Sequence, residues 1–385
     1  MHFFFIQLEP DIDYITPIVY KLASNGKKII VICFNPLIDI DNDYRLQYLK
    51  IYPSVSILYL HQTFTSLRLL FKPIFRLARI LSSTQQEKFY AFIVKNLLTG
   101  RLLELFLIKN NAVSLTIDEG IPKHSLKIIN CAKNIGILSI MTPTGALMYK
   151  EAPKELMDGT IFDTDLRVDY RIVSPNKDIS KFTKKTRKPV FMGVARYCNE
   201  WQEINAKLIS DLGDSYMLPS SRGKLKVLIF SRPSIGLVKD SPLIVKIAND
   251  KDIDLIFKNK PRGVKDNPGT YDSCPSALLI QWADIVIGSV SSIVLDILYY
   301  KKQFIFLSYL SNDQVGKLEN SDICMVALDE KMAMRYLSNF KQKSYNSSNI
   351  KIKEYYDNIV YEKSLGFDVL GHYDKLYTKF ELLKK

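Results

Sequence analysis

Residues 281–310, QWADIVIGSVSSIVLDILYYKKQFIFLSYL, constrain the fold more than any other stretch of the chain. An apolar run at 283–287 is rich in β-branched residues and ends at Gly288, which is typical of a strand buried in a parallel sheet. A serine-rich turn follows, and after it come apolar residues at helical spacing over 293–300 and a second apolar run at 303–307. The pattern therefore predicts a strand, a tight turn, a helix and a strand in direct succession, the repeating unit of an α/β fold.

The serine-rich turn is a candidate phosphate-binding site. Ser291 or Ser292 is predicted to lie at the N-cap or in the first turn of the helix. There the backbone N–H groups and the positive end of the helix dipole face the carboxyl edge of the sheet, so that a phosphate can bind without a cation. Gly288 and Ser289 belong to the same candidate site. The alternative is that the two serines only cap a helix.

Length and composition limit the class of protein. A chain of 385 residues is too long for one ordinary core and fits two domains. Basic residues outnumber acidic residues by 53 to 40, for a formal charge of +13, which favours anionic partners such as sugar nucleotides, phosphorylated lipids or an anionic membrane. No RNA-binding signature or cysteine–histidine cluster accompanies this charge, so we expect no nucleic-acid partner.

The cysteines and the apolar runs indicate a compartment. The five cysteines are scattered singly, which is typical of reduced thiols in a reducing compartment. No apolar run has the length that a membrane span needs, and residues 1–10 lack the features of a signal peptide. We therefore expect a cytoplasmic protein, either soluble or peripheral on the inner face of the membrane. None of the four histidines has metal-ligand spacing, so we predict no metal and no cofactor.

A basic segment at 66–82, SLRLLFKPIFRLARILS, is a candidate for the membrane contact. Its basic residues recur at spacings of one helical turn, and they are Arg68, Lys72, Arg76 and Arg79. A basic amphipathic helix of this kind can lie on anionic lipid. The alternative is a surface helix with its charged side in water, and Pro73 would kink or break either helix.

The first half of the chain also alternates between strand and helix patterns. Strands are predicted over 3–8, 28–34, 54–60 and 113–117. This alternation predicts a doubly wound domain. The last of these strands ends in Asp118-Glu119-Gly120, and carboxylates at the carboxyl end of a parallel strand face the ligand crevice of an open sheet. The alternative is a helix N-cap in which Glu119 favours the helix dipole.

The second half repeats the alternation from residue 224 onward. A strand over 253–258 runs directly into Asn259-Lys260-Pro261-Arg262-Gly263, where two cations flank a proline at the carboxyl end of the strand. We predict a first domain over 1–190, a second over 191–350, and a helical segment over 351–385 that can cross back to the first domain. A compact motif at 192–201, MGVARYCNEW, has no chemistry that spacing alone assigns.

These residues suggest one arrangement for catalysis. Two Rossmann-like domains facing each other across a cleft would place the acid of the first domain opposite the phosphate site of the second. Glycosyl transfer without a metal needs such an arrangement. A base deprotonates the acceptor hydroxyl, while cations, hydroxyls and amides stabilise the leaving nucleotide.

The order and spacing of the three sites resemble those of the bacterial sialyltransferases and the transferases of ulosonic acids such as Kdo, which build surface polysaccharides including lipopolysaccharide and capsule. That family has the GT-B fold and shares a D/E-D/E-G motif, an HP motif and a Ser-Ser/Thr motif. Asp118-Glu119-Gly120 matches the first motif and Ser291-Ser292 the last. The HP motif is half matched, because Lys260 stands in place of the histidine before Pro261. Residues 283–306 also resemble CDP-glycerol glycerophosphotransferases.

The resemblance implies a GT-B-like α/β protein with a CMP-sugar donor, held mainly by the second domain, and a glycan or glycolipid acceptor, held mainly by the first. It implies Asp118 as the general base, with Glu119 beside it, and Lys260 as the charged partner of the departing CMP. A lysine keeps the charge of the family histidine. The residues implied to bind the donor are Lys260, Pro261, Arg262, Gly288, Ser289, Ser291 and Ser292. Inversion and retention both stay open.

Three other functions are compatible with the sequence. They are a CDP- or UDP-dependent transferase of the same fold, including a glycerophosphotransferase-like enzyme, a nucleotide-sugar epimerase, and a non-catalytic sugar-binding protein. An epimerase would release product without an acceptor, and a binding protein would turn nothing over.

Overall fold

A computed structural model gives the structure of this protein. It describes residues 1–35, 38–63, 85, 89, 92, 100–118, 125–143, 168–175, 189–219, 223–231, 237–259, 271–289, 291–310, 323–342 and 349–383. Three groups of predicted functional residues lie outside these ranges. They are Glu119 with Gly120, Lys260 with Pro261 and Arg262, and the basic segment 66–82.

The chain forms two compact units. Unit 1 comprises Met1–Gly145, Leu156–Trp201 and Tyr361–Lys385, and unit 2 comprises Ala146–Glu155 and Gln202–Val360. The C-terminal segment of the chain thus belongs to unit 1. The domain limits given above from sequence stay a prediction.

The helices are numbered here in chain order over the described residues. They are α1 (Glu9–Ser24), α2 (Tyr44–Leu49), α3 (Arg101–Lys109), α4 (Ser125–Asn134), α5 (Asn199–Leu212), α6 (Pro242–Ala248), α7 (Ser276–Trp282), α8 (Ile293–Tyr299), α9 (Glu330–Gln342), α10 (Asn349–Val360) and α11 (Val369–Leu383). In the part of the chain that the structure describes, no helix combines the length and the apolar character that crossing a membrane requires.

Unit 1 is built on a parallel sheet that has seven strands among the described residues. The strands are β1 (His2–Ile6), β2 (Ile29–Cys33), β3 (Val55–Tyr59), β4 (Ser114–Asp118), β5 (Leu138–Thr142), β6 (Tyr170–Val173) and β7 (Pro189–Phe191). Their order is β3-β2-β1-β4-β5-β6-β7, so the direction of winding reverses between β1 and β4. Every residue of β1, β2 and β4 is buried. The doubly wound fold predicted from the alternation is confirmed.

Apolar side chains of α3 and α4 cover one face of this sheet. Leu103 and Leu107 of α3 and Ile128 of α4 belong to the same buried cluster as Phe3 and Ile117 of the strands. Their spacing of three or four residues within each helix directs them to a single face. Burial of each large apolar side chain stabilises the fold by about 1.5–3 kcal/mol.

The C-terminal helix α11 packs against the strands with aromatic side chains. The ring of Tyr377 stacks on Phe4 with 5.5 Å between centroids, and its hydroxyl lies 2.6 Å from Oγ1 of Thr116. Phe380 contacts Tyr170 of β6 at 4.7 Å between centroids. Helix α11 therefore completes the core of unit 1, although it follows the first strand by more than three hundred residues.

His2 links the sheet to the same helix from a fully buried position. Its Nδ1 lies 2.8 Å from Oγ of Ser114, and its Nε2 lies 3.0 Å from Oε1 of Glu381 in α11. Burial lowers the pKa of His2 from 6.5 to about 4, because the cost of desolvating the charged ring exceeds the attraction of Glu381. The ring is therefore neutral at neutral pH.

Unit 2 contains a second parallel sheet, for which five strands are described. They are β8 (Leu225–Phe230), β9 (Ile253–Lys258), β10 (Ile285–Gly288), β11 (Gln303–Leu307) and β12 (Met325–Ala327). The order β12-β11-β10-β8-β9 reverses between β8 and β10. The strand, helix and strand predicted within 281–310 are confirmed as β10, α8 and β11.

Helix α8 ends at a left-handed residue, and β11 follows almost at once. Lys301 adopts φ +53°, the left-handed conformation that ends many helices. Its N–H donates to the carbonyl of Leu298 at 3.0 Å, and the N–H of Lys302 donates to that of Ile297 at 3.0 Å. The chain therefore leaves the helix within one residue and enters β11 directly.

The buried His2 predicts a specific loss of stability in acid. Unfolded His2 takes up a proton near its ordinary pKa of 6.5 and folded His2 only near 4, so the stability present above 6.5 is lost as pH falls between these values. At about pH 5 the loss is about 2 kcal/mol. Urea unfolding of the parent and of His2→Asn, at about pH 7.5 and about pH 5, measures it. Asparagine does not titrate, so that variant should lose less stability on acidification, and an equal loss in both proteins would contradict the assignment.

Candidate functional site

Asp118 lies at the position of the unit 1 sheet where ligands bind in open α/β folds. It is the last residue of β4 and pairs in register with Thr142 of β5. The β1–β4 register pairs Phe4 with Thr116, and continued by two residues it places Ile6 beside Asp118. Asp118 therefore stands at the carboxyl edge next to the reversal between β1 and β4, which is the expected position of the crevice.

The side chain of Asp118 is buried, with 2% of its surface exposed. A general base must come within hydrogen-bond distance of the proton that it removes. The carboxylate of Asp118 has almost no contact with solvent in this structure. Glu119, the next residue in the sequence, lies outside the described residues.

The turn from β1 to α1, on the other side of the reversal, is held by a side chain. Oδ2 of Asp11 accepts the main-chain N–H groups of Gln7 at 2.8 Å and Leu8 at 2.9 Å. Both Gln7 and Asp11 are buried. These bonds satisfy N–H groups at the start of α1 and so fix the shape of the edge beside Asp118.

The serine-rich turn lies at the corresponding position of unit 2. Gly288 is the last residue of β10 and pairs with Phe306, and Ser289 directly after it is 6% exposed. Because β10 flanks the reversal of its sheet, the turn stands at the expected ligand position. The structure thus brings Gly288, Ser289, Ser291 and Ser292 together at one edge.

The first turn of α8 shows whether Ser292 caps the helix with its side chain. Ser292 occupies the N-cap position, as predicted, but it has helical φ and ψ of −57° and −18°, and its side chain makes no capping hydrogen bond. Main-chain carbonyls accept from the first helical N–H groups instead. The N–H of Val294 donates to the carbonyl of Ser291 at 3.0 Å, and that of Leu295 to the carbonyl of Ser292 at 3.1 Å. A side-chain cap is therefore not the reason for serine at position 292.

A search of protein-family models finds no match to this sequence, and neither does a search of curated proteins. Solved structures do match. The wall teichoic acid polymerase TagF is similar with a TM-score of 0.57 at 13% identity, over 100% of this chain and 90% of that chain. MnaA of S. aureus, in a structure with UDP, gives 0.55 at 10% identity over 99% and 98%. The glycotransferase of kitacinnamycin gives 0.53 at 11% identity over 98% of each chain.

This chain therefore has the GT-B fold. The predicted fold class is confirmed in its two parallel-sheet α/β domains. At these low identities the likeness extends to the fold and not to the chemistry.

Sequence reasoning missed a buried lysine at the carboxyl end of β9, in the sheet of unit 2. Lys258, the last residue of β9, is 4% exposed, and its Nζ donates to the main-chain carbonyls of Asp272, at 3.2 Å, and Cys274. The available signal was a lysine directly after the apolar run LIF, as the last residue of a predicted strand. Lys260, Pro261 and Arg262, which follow it, lie outside the described residues.

The motif at 192–201 contributes to an arginine–aspartate cluster in unit 1, made of Asp13, Asp43, Arg45 and Arg196. Nη1 of Arg196 lies 2.8 Å from Oδ2 of Asp13, and the same guanidinium lies over the ring of Tyr197 at 4.9 Å. Arg45 binds the other oxygen of Asp13 and both oxygens of Asp43. The cluster joins α1, α2 and the segment after β7, so the motif has a structural role that its spacing does not show.

Three of the cysteines are buried thiols, and the described residues form no group that could hold a metal ion. None of the five cysteines, all of which the structure describes, forms a disulfide. Burial raises the pKa of Cys33 and Cys198 to about 12 and that of Cys274 to about 11, so these three are thiols at neutral pH. No group of three or more His, Cys, Asp or Glu residues in the described ranges could hold a metal ion.

Removal of Arg196 should destabilise unit 1. Arg196→Gln loses the ion pair with Asp13 and the contact with Tyr197, and the paired side chains are 15% and 25% exposed. We expect a loss of about 1–2 kcal/mol, between the values typical of exposed and of buried pairs. Lys50→Gln is the matched control, because Lys50 forms an exposed pair with Asp41 in the same unit and should cost less than about 0.5 kcal/mol. Equal urea midpoints for the two variants would show that the cluster does not stabilise the fold.

Proposed function

We propose that this protein is a glycosyltransferase that uses a nucleotide-activated donor. One observation carries the proposal. Asp118 and the serine turn, each chosen from sequence for its chemistry, stand at the carboxyl edge beside the reversal of their own sheets. The GT-B fold, which the chain shares with a teichoic acid polymerase and a glycotransferase, supports the same reaction class.

The proposed donor is a cytidine nucleotide, with a CMP-linked ulosonic acid of the sialic acid or Kdo type as the first candidate. The ordered motifs that end at Ser291-Ser292 support it. Cytidine is also the base in the CDP-glycerol transferases that residues 283–306 resemble, and a TagF variant has been studied after soaking with CDPG. The proposed acceptor is a surface glycan or glycolipid.

In the proposed reaction an acceptor oxygen attacks the anomeric carbon while the bond from that carbon to the phosphate breaks. Asp118 takes the proton of the acceptor hydroxyl. Ser289, Ser291, Ser292 and the amides of the turn hold the phosphate, and Lys260 and Arg262 stabilise the charge that grows on it as the nucleotide leaves. The proposal assigns that charge to protein cations and not to a metal ion.

The second candidate is an enzyme of UDP-sugars, either a transferase or an epimerase. The likeness to MnaA, whose structure contains UDP, favours it. An epimerase would convert a UDP-sugar with no acceptor present, whereas a transferase requires one. Product analysis of reactions with and without acceptor therefore separates these two possibilities.

A nucleotide panel tests the donor proposal. A ligand that binds only the native state raises the melting temperature, so CMP or CDP should raise it more than UDP or GDP. Replacement of both Ser291 and Ser292 by alanine should reduce the shift and leave the melting temperature without ligand within about 2 °C of the parent value, because the side chain at the N-cap, Ser292, makes no capping hydrogen bond.

Two results would count against this donor site. An unchanged nucleotide shift in the double variant would exclude the serine turn, and a larger shift with UDP would favour the second candidate. Ser338→Ala is a matched control, because Ser338 is an exposed serine on α9 whose hydroxyl donates to the carbonyl of Met334. It should bind nucleotide as the parent does.

The role of Asp118 is tested by turnover. General-base catalysis typically contributes about a hundred- to ten-thousand-fold, so Asp118→Asn should lower turnover by a factor in that range with nucleotide affinity unchanged. Glu119→Gln should mainly lower stability or acceptor affinity. Turnover with a CMP-sugar and acceptor, measured beside calorimetric affinity for CMP, gives both quantities. Full activity of Asp118→Asn with loss in Glu119→Gln would transfer the role to Glu119.

A further inference from the structure

Ser174 is a buried polar residue that directly follows β6 in unit 1. Its side chain is 1% exposed, and none of the described residues forms a hydrogen bond with its Oγ. Most buried polar groups in proteins have a partner, because a buried hydroxyl without one loses its hydrogen bonds to water and gains none. Alanine would occupy the same position without this cost, so the hydroxyl itself needs an explanation.

Other hydroxyl groups of the same unit are used by the fold. In the neighbouring strand β5, Oγ of Ser139 donates to Oδ2 of Asp169 at 2.9 Å, and Oγ1 of Thr142 donates to the carbonyl of Ile117 at 3.2 Å. The hydroxyl of Ser174 differs from both, because within the described part of the chain it keeps its capacity to donate and to accept. A ligand hydroxyl could use both.

The alternation of side chains places Ser174 on the same face of the sheet as Asp118. Thr116 of β4 and Tyr170 of β6 both contact side chains of α11. Side chains an even number of residues apart in a strand lie on one face. Asp118 follows Thr116 by two residues. Ser174 follows Tyr170 by four, so both side chains belong to the face that α11 covers, at its carboxyl edge.

The register gives the separation of Asp118 and Ser174. Asp118 pairs with Thr142, and the β5–β6 register, continued by one residue, places Ile172 beside Thr142. Ser174 lies two residues further along the chain. Two strand spacings across the sheet and the rise of two residues along it separate Asp118 from Ser174 by about 12 Å. This distance is longer than one sugar ring.

We propose that Ser174 binds a hydroxyl of the second sugar of the acceptor, so that the acceptor is an oligosaccharide and not a single sugar. This inference rests on the proposed function and names the substrate class of its acceptor site. When the attacking hydroxyl lies at Asp118, the ring that carries it occupies the near part of the edge, and the next ring reaches Ser174. Sugar hydroxyls donate and accept hydrogen bonds, as serine does, so the pair needs no charge.

Transfer to a disaccharide and to a monosaccharide tests the proposal on the full chain. Lactose and methyl β-galactoside are the probes, because both end in the same sugar and only lactose has a second ring. With a CMP-linked sialic acid as donor, Ser174→Ala should lower kcat/KM for lactose about three- to tenfold, the effect of one hydrogen bond between uncharged groups. It should leave kcat/KM for methyl β-galactoside unchanged.

The probes follow the specificity of the parent. If the parent uses a UDP-sugar, that donor replaces the CMP-sugar. If it accepts a different disaccharide, that disaccharide and the methyl glycoside of its terminal sugar replace lactose and methyl β-galactoside. In each case the parent should prefer the disaccharide, and Ser174→Ala should reduce that preference.

Ser139→Ala is the matched control. Ser139 is also a buried serine of the unit 1 sheet, with 3% of its surface exposed, and it lies near the amino end of β5, away from the carboxyl edge. Because this variant loses the bond to Asp169, it should unfold at a lower urea concentration than the parent and keep the preference for the disaccharide. Ser174→Ala should unfold at a urea concentration no lower than that of the parent.

The outcomes separate this inference from the function on which it rests. Unchanged kcat/KM for the disaccharide in Ser174→Ala would mean that the hydroxyl meets only a buried water. Equal losses for both acceptors would mean that Ser174 only supports the fold. Either result overturns the inference and leaves the transferase standing. Conversion of a UDP-sugar without acceptor would establish the second candidate and overturn the inference. A parent that transfers no sugar from a CMP- or UDP-linked donor to any saccharide overturns the proposed function, and the inference with it.

Discussion

The parallel pairing of buried strands is the constraint on which the rest of this structure depends. In each sheet every described strand runs in the same direction, so all carboxyl ends meet at one edge. Strands such as β1 and β4 are buried on both faces and leave little room there for polar side chains that meet a ligand. Chemistry is therefore confined to the strand ends and the loops beyond them. Asp118, Lys258 and Ser289 all occupy such positions.

The buried ionisable groups are accommodated in three different ways. His2 gives up its charge, because its pKa falls to about 4. Arg45 and Arg196 keep their charge and share the carboxylate of Asp13. Lys258 is solvated by main-chain carbonyls. The first two arrangements stabilise unit 1 without creating a net charge, and the third uses main-chain dipoles at the end of β9.

The core of unit 1 depends on contacts between distant parts of the chain. Thr116 and Tyr377 are 261 residues apart in sequence, yet their hydroxyl groups are hydrogen-bonded, and the ring of Tyr377 contacts Phe4 and Phe380. Contacts of such separation form late, because a long loop must close before they stabilise the chain. Helix α11 is therefore part of the core of unit 1, and it contacts β4, the strand that ends at Asp118.

The sequence by itself determined the class of fold and the position of the two edges. Period-two and period-3.6 apolar patterns arise from local geometry, so they were sufficient to place β10, α8 and β11 and to put Asp118 at the end of a strand. Only the tertiary structure decided the order of the strands, the burial of Asp118, the sharing of Asp13 by two arginines and the partners of Lys258. These features depend on which residues meet across the sheet, and a chain in one dimension specifies the spacing of its residues but not the pairs that packing brings together.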